Sequence, residues 1–100
     1  MAGRLIYSEE ATGHLNKLSD FLVRMAGELA ASKIIDELII SFRILKDMPY
    51  IGREHPDKVL ADRGYRIYIS GKYVGVYLVI DDGVLMTAVY HTKTDWLTKD

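Results

Sequence analysis

Three β-prone runs stand almost back to back near the C-terminus: YRIYIS (65–70), KYVGVYLVI (72–80) and VLMTAVYH (84–91). All are rich in Tyr, Val and Ile, which suit a pleated, half-buried surface. The links between them are the turns SGK and DDG, and DDG is a strong hairpin signal. Links this short join antiparallel neighbours, because a parallel pair needs a crossover of about a dozen residues or more. The middle run is apolar at nearly every position, as expected of a central strand buried on both faces. The stretch therefore predicts an antiparallel meander, and the segments before it must pack against it.

Those segments read as one short strand and two helices. RLIYS (4–8) is β-prone. Ser8 offers an N-cap, and Glu9 and Glu10 fall in the first helical turn, where the helix dipole favours negative charge. Ala11, Leu15, Leu18, Leu22 and Met25 step by four, three, four and three, which is one helical stripe that Gly27 ends. A second stripe from Glu28 holds Ala31, Ile34, Ile35, Leu38, Phe42 and Leu45, widened by Ile39 and Ile40, and Pro49 stops it. Residues 49–64 hold both prolines and read as a long loop, a kind more often functional than idle. The expected fold is α+β with order β-α-α-β-β-β. An N-terminal strand is followed by an α-helical hairpin packed on a small antiparallel β-meander, all within one domain spanning residues 1–100.

Composition narrows the classes. An apolar fraction of 49% suits a packed globule. There are no cysteines, which excludes disulfides and thiolate metal sites. No run of about 18 uncharged apolar residues is present, so no membrane span is expected. MAGRLIYSEE has no apolar signal core, and a cytoplasmic location is the expectation. The net charge of −1 hides a mildly basic middle. Residues 43–72 carry Arg43, Lys46, Arg53, Lys58, Arg63, Arg66 and Lys72 against four acids, which suits either a solvated loop or a face toward an acidic partner.

His14, His55 and His91 lie far apart, none with a partner at metal spacing, so neither a metal nor a cofactor is expected. Residues 52–64 lack the Lys-Ser/Thr ending of a phosphate loop, and no Ser occupies a nucleophile elbow. Strand alternation places His91 with Val89, Thr87 and Leu85, and Tyr90 with Ala88 and Met86. It places Arg66, Tyr68 and Ser70 on one side. A His and cations at one sheet rim could perform acid/base work on RNA. Alternatively, His91 hydrogen-bonds a loop backbone and anchors the last strand.

The segments SEEATGHLNKLSDFL, ILKDMPYIGRE, RIYISGKYVGVYLVIDDGVLMTAVYH and HTKTDW together resemble the ParE/RelE superfamily of toxins from toxin–antitoxin modules, the ParE (plasmid-stabilisation) branch most closely. Leu45, Pro49, Gly52 and Arg53 are similar to that family's motif after its second helix. Arg66, Tyr73, Tyr77, His91 and Asp95 fall where it carries an Arg, two Tyr, a His and an Asp. The resemblance implies a growth-arresting toxin neutralised by a cognate antitoxin. It implies a gyrase inhibitor that acts by protein–protein contact rather than as an enzyme. Ile34, Ile35, Leu38, Ile39, Phe42, Arg53, Arg66, Tyr73, Tyr77, His91, Asp95 and Trp96 are then the candidate partner-binding residues, in a dimer or a toxin–antitoxin heterocomplex. The alternative it leaves is a RelE-like ribosome-dependent mRNA endoribonuclease using Arg66, His91 and Lys93. Against that alternative stand the net acidity, since phosphate contacts dominate RNA affinity, and the tail DWLTKD, which has neither Tyr nor a second His.

Overall fold

The computed structural model describes residues 3–96. The chain runs β1 (Arg4–Tyr7), α1 (Glu9–Ala26), α2 (Glu28–Phe42), α3 (Ile44–Asp47), β2 (Arg53–Glu54), α4 (Lys58–Asp62), β3 (Tyr65–Ser70), β4 (Tyr73–Ile80) and β5 (Gly83–His91). One sheet holds the strands in the order β1-β5-β4-β3-β2. β3, β4 and β5 form the expected antiparallel meander. β1 joins beside β5 in parallel, from Arg4 opposite Gly83 to Tyr7 opposite Met86, so the α+β fold carries a mixed sheet.

The helical hairpin follows its local signals. The Ser8 side chain accepts the Ala11 N–H at 3.1 Å and caps α1. Gly27 takes φ +89°, a left-handed conformation that a side chain would strain, and is the single residue linking α1 to α2. Its N–H closes α1 on the Val23 carbonyl, and its own carbonyl accepts the Ala31 N–H to start α2. Two features differ from the sequence reading. The second helix breaks at Arg43 and resumes as the one-turn α3, and Met25, the last member of the α1 stripe, is exposed near the hairpin turn. Residues 49–64 are also not all loop. β2 pairs with Arg66 and Ile67 of β3, and α4 is capped by the Asp57 carboxylate, which accepts the Leu60 N–H.

Two apolar cores sandwich the sheet. The helical side buries Ala11, Leu38, Phe42, Leu45, Tyr77, Val84, Met86 and Val89. The opposite side buries Ile67, Val74, Val76 and Ala88 beneath Trp96. A bulge sets which residue of β5 faces which core. Val76 pairs with Ala88 while Tyr77 pairs with Met86, leaving Thr87 as the extra residue. The simple alternation read from the sequence is corrected here. His91 and Val89 share the helical face with Met86 and Val84, not with Thr87 and Leu85, and Tyr90 lies with Ala88 but not with Met86. The bulge is stitched in place: Thr87 Oγ1 donates to the Val76 carbonyl at 3.1 Å, and Ser8 Oγ donates to the Thr87 carbonyl at 3.3 Å. The residue that caps α1 thus also holds the irregular turn of β5.

Candidate functional site

The Pro49–Arg53 segment is tied to the sheet by two of the candidate residues. Arg66 and Tyr77 face each other across β3 and β4 on the helical side. Tyr77 is fully buried, and its hydroxyl donates to the Pro49 carbonyl at 2.7 Å. Arg66 Nη2 donates to the Gly52 carbonyl at 2.7 Å and to the Tyr50 carbonyl at 3.4 Å, and the guanidinium lies 5.2 Å from the centre of the exposed Tyr50 ring. Charge-assisted bonds and cation–π attraction act together there. Gly52 is needed for the approach, because a Cβ would stand 2.5 Å from the Tyr77 hydroxyl and would collide with the Ile67 carbonyl. Arg53 projects from the exposed edge strand, beside an open groove formed with Ile51, Ile67 and Ile69.

A second group gathers around the β3–β4 turn. Ile34 and Leu38 of α2, with Glu37, face Ser70, Gly71, Lys72 and Tyr73 across an open cleft of about 170 Å³. The Ser70 hydroxyl donates to that of Ser41 at 2.7 Å, pinning the turn to α2. Tyr73 meets His91 edge to face, with ring centres 5.4 Å apart, so His91 adjoins this cleft. His91 Nδ1 accepts the Lys93 N–H at 3.0 Å, and its carbonyl accepts both the N–H and the hydroxyl of Thr94. Lys93 and Asp95 are exposed in the turn that follows. Ile35 and Ile39 are half-buried on α2, whereas Leu38 and Phe42 belong to the core; Leu29 and Ile40 of the same helix are exposed.

Trp96 lies elsewhere, on the opposite side of the sheet. It is 8% exposed and meets the His55 ring edge to face at 5.6 Å. His55 is 2% exposed; its N–H donates to the Tyr65 carbonyl, and its Nδ1 accepts the Asp57 N–H at 3.0 Å. Burial pulls the His55 pKa below the ordinary histidine value, against an upward pull from Asp57. Sequence reasoning missed His55 and Tyr50. The available signal for His55 was Asp57 before KVL, an N-cap that folds the loop back.

The candidates therefore divide into three places rather than one pocket: Arg66 and Tyr77 under the Pro49–Arg53 segment, Tyr73 and His91 beside α2, and Trp96 behind the sheet. Arg66, Tyr77 and His91 spend hydrogen-bonding groups on the protein's own backbone. Among the described residues no group of three or more His, Cys, Asp or Glu could hold a metal ion, and no helix is long and apolar enough to cross a membrane. Residues 97–100, the end of the tail that counted against a nuclease, lie outside the described residues.

Comparison with known proteins gives a concordant result. The family model described as "ParE toxin of type II toxin-antitoxin system, parDE" matches residues 5–96. A solved structure titled "Chromosomal ParDE TA system from P. aeruginosa" shares the fold with a TM-score of 0.78 and 16% sequence identity, over 92% of this chain and 98% of that one. No curated protein sequence matches the chain significantly.

Proposed function

Because this chain belongs to the ParE toxin family of the parDE type II toxin–antitoxin system, we propose that it arrests growth by binding the DNA gyrase complex in the cytoplasm and that a cognate antitoxin holds it inactive. The observation that carries the non-enzymatic reading is the occupation of two of the three polar candidates. Arg66 is bound to the Gly52 and Tyr50 carbonyls, and His91 Nδ1 to the Lys93 amide. A group that must take a proton from a ribose hydroxyl needs a free lone pair aimed at it, and at His91 Nδ1 that lone pair is taken. The cleft lined by Ile34, Leu38 and Tyr73 supports antitoxin docking as an apolar segment laid against α2. The same apolar surface supports a dimer or heterocomplex over a solitary toxin.

The test is a supercoiling assay with purified gyrase. Inhibition or accumulated cleavage complex, relieved by the antitoxin, is the expected result. Intact supercoiling at toxin excess would refute the gyrase target. Site-specific mRNA cleavage in a translation reaction, lost in His91→Ala, would replace the proposal with the endoribonuclease reading.

A further inference from the structure

The two edges of the sheet are protected unequally. β2 is two residues long, both charged, and Pro56 follows shortly after, so strand addition there is blunted. β1 carries Leu5, Ile6 and Tyr7 with Arg4 as its one charge, and its outer side pairs with no strand. Its hydrogen-bond directions follow from the parallel register. The Arg4 N–H donates to the Asp82 carbonyl and the Ser8 N–H to the Met86 carbonyl, so residues 4, 6 and 8 turn their backbone groups toward β5. Leu5 and Tyr7 therefore turn theirs outward, and among the described residues nothing pairs with them. The Lys46 carbonyl already takes the Gly3 N–H, so the open stretch begins at Leu5. It offers two N–H donors and two C=O acceptors at the two-residue spacing of a strand. The side chains of Leu5 and Tyr7 pack on the helical core, and half-buried Ile6 lies on the opposite face.

We propose that this edge docks a second copy of the chain, paired antiparallel about a two-fold axis at Ile6. That register sets Leu5 opposite Tyr7 of the second copy and Tyr7 opposite its Leu5, and each pair exchanges two N–H···O=C bonds. The two five-stranded sheets then join into one. The Ile6 side chains meet at the axis as a non-hydrogen-bonded pair, the closer of the two kinds. They do so on the face where Ile6, Leu85 and Leu78 already lie side by side, all half-buried. Charge selects the antiparallel self-pair. Arg4 opens β1, and Glu9 and Glu10 follow directly after its end. The register places Arg4 of each copy opposite Ser8 of the other, one and two residues from those carboxylates, and symmetry repeats the match. An in-register parallel pair would set like charges side by side. Asp82 also contacts Arg4, at 3.4 Å, but both side chains are largely exposed and the guanidinium keeps further donors. The cleft at α2 lies against the β3–β4 turn, on the far side of β5 from β1, so both clefts of the pair stay open to an antitoxin. An edge of four residues makes the dimer reversible. None of this depends on the cellular target.

Amide exchange in the full-length wild-type protein reads the alternation without any variant. As the concentration rises from micromolar to millimolar, sedimentation should show monomer passing to dimer, and the Leu5 and Tyr7 amides should gain protection. With about nine-tenths of the chains paired, their exchange should slow about tenfold, while the Ile6 amide, bound within its own sheet in both states, should change little. The chain has no cysteine, so a single introduced thiol is a clean probe. Facing non-hydrogen-bonded residues have Cα atoms about 4.5 Å apart, within disulfide reach, so Ile6→Cys should cross-link to a dimer under mild oxidation. Arg4→Cys should not, because the two copies of position 4 stand about four residues, or about 13 Å, apart along the paired strands. A monomer at every concentration, a dimer whose Leu5 and Tyr7 amides stay as open as in the monomer, or equal cross-linking at positions 4 and 6 would each overturn the proposal. Protection of Leu5 and Tyr7 that appears only when antitoxin is added would assign the edge to the antitoxin and overturn it likewise.

Discussion

Gly52 and Tyr77 offer the sharpest test of how the Pro49–Arg53 segment is held. A Cβ on Gly52 would sit 2.5 Å from the Tyr77 hydroxyl oxygen and collide with the Ile67 carbonyl, so Gly52→Ala forces the segment to lift. Overpacking of this kind costs about 1–3 kcal/mol. Lifting also stretches the 2.7 Å bond from Tyr77 to the Pro49 carbonyl, worth about 1 kcal/mol net. We therefore expect Gly52→Ala to cost about 2–3 kcal/mol and Tyr77→Phe about 1 kcal/mol. In the double variant there is no hydroxyl to collide with and no bond to lose, while the Ile67 carbonyl still obstructs. The double should thus fall short of the sum by about 1 kcal/mol, without recovering to the level of Tyr77→Phe alone. Urea unfolding of the four proteins, with unchanged m, reads this directly. Each kcal/mol should also appear as about 4–8 °C in Tm for a chain of this size. Additivity within about 0.5 kcal/mol would refute the shared contact, and so would a Gly52→Ala variant as stable as the parent.

Other substitutions separate the remaining roles. Arg66→Met should cost about 1.5–3 kcal/mol in urea unfolding and raise amide exchange in residues 50–53, because the Gly52 and Tyr50 carbonyls lose their donor and the Tyr50 ring loses its cation together. Phe42→Ala should cost about 3–5 kcal/mol as a core cavity, whereas Ile40→Ser on the same helix should leave the thermal midpoint nearly unchanged, and Ile34→Ser, in the cleft, should weaken antitoxin binding in calorimetry. Ser8→Ala should cost about 1–2 kcal/mol, at the upper end for an N-cap, since it also releases the Thr87 carbonyl. For His55, burial holds the native pKa below that of the unfolded chain, so its contribution is complete above about pH 6.5 and is lost as the pH falls toward the native value. His55→Asn should flatten that part of the stability profile measured by urea titration.

Local signals carried most of the fold. Ser8, the α1 stripe and Gly27 specify the helical hairpin within a few residues of themselves, and SGK and DDG specify strand neighbours the same way. What escaped depends on distant partners. The parallel seat of β1 on β5 joins residues some eighty positions apart, and nothing in RLIYS selects it over the opposite edge. β2 has two residues and α4 has five, too short for periodicity to register; each forms because β3 or the Asp57 cap completes it. The bulge at Thr87 was hidden for a different reason. VLMTAVYH is apolar at most positions because both faces of β5 are covered, so a shift in alternation leaves no mark in the pattern.

The candidate site was legible only as residue types. Residue type alone left Arg66, His91 and Lys93 open to chemistry, because a guanidinium, an imidazole and an ammonium are usual instruments of proton transfer and phosphate contact. A guanidinium, an imidazole or a phenol hydroxyl is also a strong means of satisfying stray backbone carbonyls and amides where a chain leaves regular structure. The choice between the two roles lies in what stands opposite each group, and that is fixed by tertiary approach: Gly52 without a Cβ, Pro49 with its carbonyl turned inward, Lys93 with its amide folded back. A sequence names the donors but not their acceptors. Hence VYHTKTDW (89–96) contains a real constellation: Val89 donates its N–H to His14, the Lys93 N–H donates to His91, and Trp96 packs on His55. By contrast, the cleft between α2 and the β3–β4 turn, lined in part by Ile34, Leu38 and Tyr73, is open, and it is there that the proposed docking is to be tested.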